Sequence, residues 1–168
     1  MYMKSLLLRY GSALAIAFGY ELFYVVFSPL TLLGSFLVLF PFLPVVLSSN
    51  SLIFEGITFM FIPACTAASA YLLLAVLILV TKGIKFKNGL KMFLLGSLAI
   101  LCMNIVRIVT LIIVYFWLGK NVVDSLHLFY WNIISTLFVV LVWIWLTKKF
   151  KVKSIPVYSD IKKLHAYL

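Results

Sequence analysis

Pro63-Ala64-Cys65-Thr66-Ala67-Ala68-Ser69-Ala70-Tyr71 opens an apolar run that continues to Val80 and stops at Lys82. Proline suits the first position of a helix, where its missing N–H would have no intrahelical partner. The stretch therefore predicts a membrane-spanning helix with Cys65 on its first turn. Unpaired backbone N–H groups and the positive end of the helix dipole lie there and favour an anion. Such a setting lowers a thiol pKa and raises the thiolate fraction. The small residues Ala67, Ala68, Ser69 and Ala70 let another backbone approach closely.

The composition agrees with a membrane protein. Of 168 residues, 65% are hydrophobic, and the mean hydropathy is +1.21. Long apolar runs with short polar punctuation mark a polytopic chain. The net charge of +10 raises the question of nucleic acid. The positions of the charges argue against it. Lys82, Lys85, Lys87 and Lys91 fill one loop, and Lys148, Lys149, Lys151, Lys153, Lys162 and Lys163 fill the end of the chain. Clusters of this kind mark cytoplasmic segments beside anionic lipid. The expected partner is the lipid bilayer, with no nucleic acid.

The fold class expected is all-α: an integral membrane protein, a polytopic helical bundle with about 4–5 transmembrane helices. It forms a single transmembrane domain over 1–168, with a basic cytoplasmic tail at 147–168. The first span is expected from about Ser5 to Phe27, with a break at Ser28-Pro29. Residues 30–47, interrupted by Pro41 and Pro44, form a second apolar run. Residues 48–62 alternate (Leu52, Phe54, Ile57, Phe59, Phe61) and fit a short strand or an extended lead-in. The next helices are expected from about Lys91 to Leu118 and from about Leu126 to Leu146, the latter capped by Asp124 or Ser125. The N-terminal run is too long for a cleavable signal peptide.

The lysine clusters place Cys65 and His127 on the extracytoplasmic side of a plasma membrane. A full crossing by 30–47 would then put Lys4 and Arg9 outside, against the positive-inside rule. An interfacial or re-entrant 30–47 satisfies every charge, and is the path expected. Depth supports one shared site. Cys65 lies roughly 25 Å from Lys82, Arg107 roughly 24 Å from Lys91 and His127 roughly 31 Å from Lys148, at 1.5 Å per helical residue. Against a hydrocarbon core of about 30 Å, a thiol, a guanidinium and an imidazole reach one level.

Each residue also has a plainer role. Cys65 and Cys102 are small hydrophobes when buried. Arg107 can pair with Glu21, an acid inside the first span that otherwise orients the site or makes a structural bond. His127 suits an interface. Two cysteines in apolar segments do not make a disulfide framework. Two histidines and two cysteines far apart give no metal spacing, no phosphate loop is present, and no cofactor is expected.

At these residues the chain resembles the exosortase/archaeosortase family of membrane-embedded cysteine transpeptidases, and its small archaeal members most closely. Cys65 follows an extracytoplasmic segment. Asn104-Ile105-Val106-Arg107-Ile108 matches the Asn-x-x-Arg-Ile element of the next helix, and His127 matches a histidine on a later one. The resemblance covers roughly residues 45–146. One position departs: the commoner Cys-Ser-Gly is here Cys65-Thr66-Ala67, which keeps the hydroxyl and loses the glycine. The resemblance implies an enzyme that cleaves the C-terminal sorting signal of a surface protein and passes the new carboxyl end to a membrane lipid. Cys65 would form a thioester. His127 would take and return the proton, and Arg107 would stabilise the oxyanion or hold substrate. Thr66, Asn104, Asp124 and Glu21 would support them. A protease that only hydrolyses would use the same residues. A non-enzymatic assembly factor or carrier, with Arg107, His127 and Glu21 lining a polar cavity, is the competing expectation.

Overall fold

The computed structural model describes residues 2–119, 121–123 and 133–152. Most of them are helical. The order is α1 (Tyr2–Ala17), α2 (Tyr20–Leu39), β1 (Val46–Ser48), β2 (Ser51–Phe54), β3 (Ile57–Met60), a 3₁₀ turn (Pro63–Thr66), α3 (Ala68–Val80), α4 (Phe86–Leu118) and α5 (Ser135–Lys149). Helices α2 and α4 are long and apolar enough to cross a membrane, and α3 is a shorter apolar helix.

The expected all-α class is corrected by a three-stranded antiparallel sheet, order β1-β2-β3. Its sequence carries the reason. Leu52 and Phe54 alternate inward with half-buried Ser51 and Ile53 along β2, the period-two pattern of a strand. Glu55 and Gly56 both adopt positive φ, 49° and 77°, as a two-residue turn requires if it is to match the strand twist.

The start of the chain also differs from expectation. Ser28-Pro29 does not break the helix, because α2 runs through Pro29 from Tyr20 to Leu39. The break falls at Phe18-Gly19. Glycine is about 1 kcal/mol poorer than alanine inside a helix, and the Gly19 N–H turns back to Ile16 O at 2.8 Å. Residues 30–39 therefore belong to α2, and only the prolines at 41 and 44 end it. Likewise α4 begins at Phe86, five residues before Lys91, so Lys87 and Lys91 lie in its first turns. Cys102 is exposed on α4 rather than buried.

Two apolar clusters organise the bundle. One joins α3, α4 and α5 through Tyr71, Leu74, Met92, Ile100, Val139 and Leu146. Gly96 permits this close crossing: a Cβ there would meet Leu74 Cδ2 at 2.6 Å and Leu146 Cδ1 at 2.9 Å. The other cluster lies at the sheet end, where Leu32 and Leu39 of α2 and Ile108 and Ile112 of α4 pack against Leu52, Phe54 and Phe61. Phe54 stands edge-on to Phe116 at 4.7 Å. The opposite end carries the α3–α4 loop. There Arg9 Nη1 donates to Val80 O at 3.0 Å, so the cation of α1 meets the carbonyl end of α3. Helix α2 starts toward this loop end, with Phe23 against Phe93, and finishes at the sheet end. One helix thus separates Arg9 from the sheet.

Candidate active site

Cys65 lies in the 3₁₀ turn between β3 and α3, not on the first turn of α3. Ala67 causes the separation. Its φ of 53° and ψ of 33° are left-handed, a conformation that interrupts the helical ladder and is disfavoured for residues with a Cβ. This position is the one at which the Cys-Ser-Gly pattern carries glycine, the residue that adopts positive φ without steric cost.

The lowered thiol pKa expected from a helix terminus is corrected in the same place. Burial pushes the Cys65 thiol above its ordinary value; a backbone contact from Ile62 and the Arg107 guanidinium pull it down without reversing the shift. Cys65 packs partly against the apolar cluster at the sheet end, and a desolvated thiolate is costly.

The Cys65 carbonyl is held from α4 by two side chains. It accepts from Asn104 Nδ2 at 2.8 Å and from Arg107 Nη2 at 3.1 Å. Asn104 and Arg107 are three residues apart on α4, so they share a face of that helix. Both are buried, at 4% and 3% exposure. The two polar members of the Asn-x-x-Arg element therefore converge on one atom. Thr66, next in the turn, is fully buried.

Two residues join this group that the sequence did not single out. Thr31 Oγ1 accepts from Asn104 Nδ2 at 3.4 Å, and Ser135 Oγ accepts from Arg107 Nη1 at 3.4 Å. A signal for Thr31 was present. Ser28, Thr31 and Ser35 recur at helical spacing, and all three are buried. The expected break at Ser28-Pro29 hid that stripe. Ser135 carried no such signal beyond being a polar residue in the last apolar run.

A cleft opens beside the clamp. Asn104, Arg107, Ala67, Ala70, Ser135 and Val139 line it, between the heads of α3 and α5. The small side chains of α3 keep it open, and Asn104 Oδ1, buried at its wall, has no hydrogen-bond partner among the described residues.

Glu21, expected to support the site, stands apart from this group of residues. It is exposed on the first turn of α2, ten residues before Thr31, or roughly 15 Å along the helix. An acid there complements the helix dipole. His127 and Asp124, with the expected cap at Ser125, lie outside the described residues. The structure thus brings together Cys65, Asn104 and Arg107, adds Thr31 and Ser135, and leaves Glu21 apart.

No protein-family model, curated protein or solved structure matches the chain.

Proposed function

We propose that the protein is a membrane-embedded cysteine transpeptidase that removes C-terminal sorting signals from surface proteins on the extracytoplasmic side. In this reading α2, α3, α4 and α5 cross a plasma membrane. Arg9, the α3–α4 loop and the first turns of α4 sit at one end of the bundle, with Lys148 and Lys149 in the last turn of α5. Positive charge gathered at one end is what the cytoplasmic side attracts. One crossing by α2 then satisfies both Arg9 and the Cys65 turn, with no re-entrant segment. The sheet and the turn become an extracytoplasmic cap.

The observation that carries the chemistry is the double grip on the Cys65 carbonyl. It holds the turn in one position relative to the Arg107 side chain. Positioning of this kind is worth several orders of magnitude when a nucleophile must meet a scissile bond. The Cys65 thiolate attacks the carbonyl carbon of the substrate, the C–N bond breaks, and the amine leaves with a proton supplied by His127. The resulting thioester is opened by a lipid hydroxyl or amine, which forms the new ester or amide and returns the thiol. Arg107 Nη1 points toward Ser135 at the cleft, the side from which it would meet substrate. No cofactor is needed for these steps.

The occupied clamp favours a second reading, a non-enzymatic membrane protein in which Asn104 and Arg107 only tie α4 to the turn. Mass spectrometry of surface proteins, in cells that make this chain, separates the two. Loss of C-terminal tails in wild type and their retention with Cys65→Ala and Cys65→Ser is the expected result. Unchanged tail removal with Cys65→Ala would sink the enzyme reading.

A further inference from the structure

Among the described residues strand β3 is an edge, and the pairing pattern says which of its atoms face away from β2. Phe61 N–H donates to Asn50 O at 3.0 Å, so Phe61 and Asn50 form a hydrogen-bonded pair. The same register pairs Ser51 with Met60, Leu52 with Phe59, Ile53 with Thr58 and Phe54 with Ile57. Bonded and non-bonded pairs alternate in an antiparallel ladder. Phe59 and Ile57 therefore bond to β2, and the N–H and C=O groups of Thr58 and Met60 point away from it. No strand among the described residues pairs with that side. Both residues are exposed, Met60 at 69%.

Edges are ordinarily protected by proline, lysine or a bulge. Ile57-Thr58-Phe59-Met60 has none of these. The strand is also fixed in place. Phe59 stands edge-on to Tyr115 at 5.3 Å, and the Phe61 carbonyl accepts from Asn50 Nδ2 at 2.9 Å. The chain then stays extended through Ile62 into the turn that holds Cys65. Met60 and Cys65 are separated by at most ~17 Å of chain.

We infer that the outer edge of β3 binds an extended segment of the substrate polypeptide as a fourth strand and leads its scissile bond to Cys65. This rests on the transpeptidase reading. The occupant follows from the groups that face away from β2: main-chain donors and acceptors repeating every second residue are matched by another extended main chain. Such binding reads backbone shape more than side chains, which suits an enzyme acting on the flexible stretch before a membrane helix.

Proline at position 58 or 60 tests this, because it removes an outward N–H and leaves the β2–β3 ladder intact. The full-length protein is used in cells that make it, with tail removal from surface proteins as readout. Thr58→Pro and Met60→Pro are each expected to slow tail removal about fivefold, the worth of one lost backbone hydrogen bond, while protein level and thiol labelling of Cys65 stay at wild type. Tail removal at the wild-type rate in both variants overturns the edge proposal, provided that Cys65→Ala abolishes it. If Cys65→Ala does not abolish it, the failure belongs to the transpeptidase reading. A shift from dimer to monomer with unchanged tail removal would assign the edge to a second copy of this chain and overturn the proposal. Should a proline variant fail to accumulate, amide exchange in the wild-type protein decides. Thr58 and Met60 are expected to exchange at least tenfold faster than Phe59, and equal protection would show the edge already covered.

Discussion

Arg107 Nη2 donates to the carbonyl of Cys65 at 3.1 Å, across 42 residues of sequence. A buried guanidinium thus spends one arm on the backbone of the turn and directs the other to Ser135 Oγ. Only a planar fork reaches two acceptors in this way. Arg107→Lys is therefore expected to behave more like Arg107→Ala than like wild type. Each should cost about 1.5–3 kcal/mol, the worth of a hydrogen bond to a charged group. Thermal unfolding in detergent, followed by the aromatic signal, would check this. A lysine variant as stable as wild type would contradict the two-armed role.

Asn104 and Arg107 hold the same oxygen, so their contributions should not add. Asn104→Ala removes a bond of about 1 kcal/mol. Combined with Arg107→Ala, it should show a coupling of about 0.5–3 kcal/mol, the range for residues in one network. Thr31→Val, which loses only the longer 3.4 Å contact, should cost less than Asn104→Ala. A double-mutant cycle on unfolding free energies would measure the coupling, and strict additivity would remove the shared-acceptor argument.

Ala67 tests the turn itself. Its left-handed backbone costs an L-residue about 1–2 kcal/mol, against about 0.8 kcal/mol for a buried methyl group. Ala67→Gly is expected to fall within about 1 kcal/mol of wild type despite the lost methyl. Ala67→Val should lose at least about 2 kcal/mol, because a β-branched side chain is a steric outlier at positive φ. Equal tolerance of both substitutions would argue against the αL junction.

The Cys65 thiol is raised from its ordinary value near 9.0 chiefly by burial. A raised pKa means that the folded state keeps its proton longer than the unfolded chain. Above the ordinary thiol pKa the unfolded state binds fewer protons, so stability falls as pH rises. The contribution is complete below that pKa and is lost as pH climbs toward the folded value. Cys65→Ser should therefore flatten the alkaline limb of a stability–pH curve. Labelling of Cys65 by a membrane-impermeant maleimide, with Cys102→Ala, should rise only at alkaline pH. Arg107→Ala should move that rise further up, because the guanidinium lowers the thiol pKa. A labelling midpoint well below 9.0 in the wild type would show that groups beyond this environment activate the thiol.

Gly96 lets α4 cross α3 and α5 at the Leu74 and Leu146 side chains. Gly96→Ala should cost about 1–3 kcal/mol, as overpacking does. Leu74→Ala in the same chain should relieve part of that cost, so the double variant loses less than the sum of the two. Unfolding midpoints of the two single variants and the double variant would decide.

Much of this protein was legible in order along the chain. Apolar runs and lysine clusters placed α3, α4 and α5 and gathered positive charge at one end, because burial and charge patterning act locally. The alternation at 52–61 pointed to extended chain, and helical spacing put Asn104 and Arg107 on one face. The tertiary structure alone decided the rest. Pro29 stays inside α2 because packing of that helix outweighs the lost backbone bond, whereas Gly19, with weak local preference, gives way. Glu21 stands apart from the Cys65 group because the break at Gly19 moves it to the start of a different helix. Cys65 leaves the helix terminus because Ala67 turns left-handed, a strained choice that no propensity scale selects. The clamp on the Cys65 carbonyl joins residues about forty positions apart. A main-chain oxygen has no signature in a sequence, so only the packing of α2, α4 and the turn could assign both donors to it.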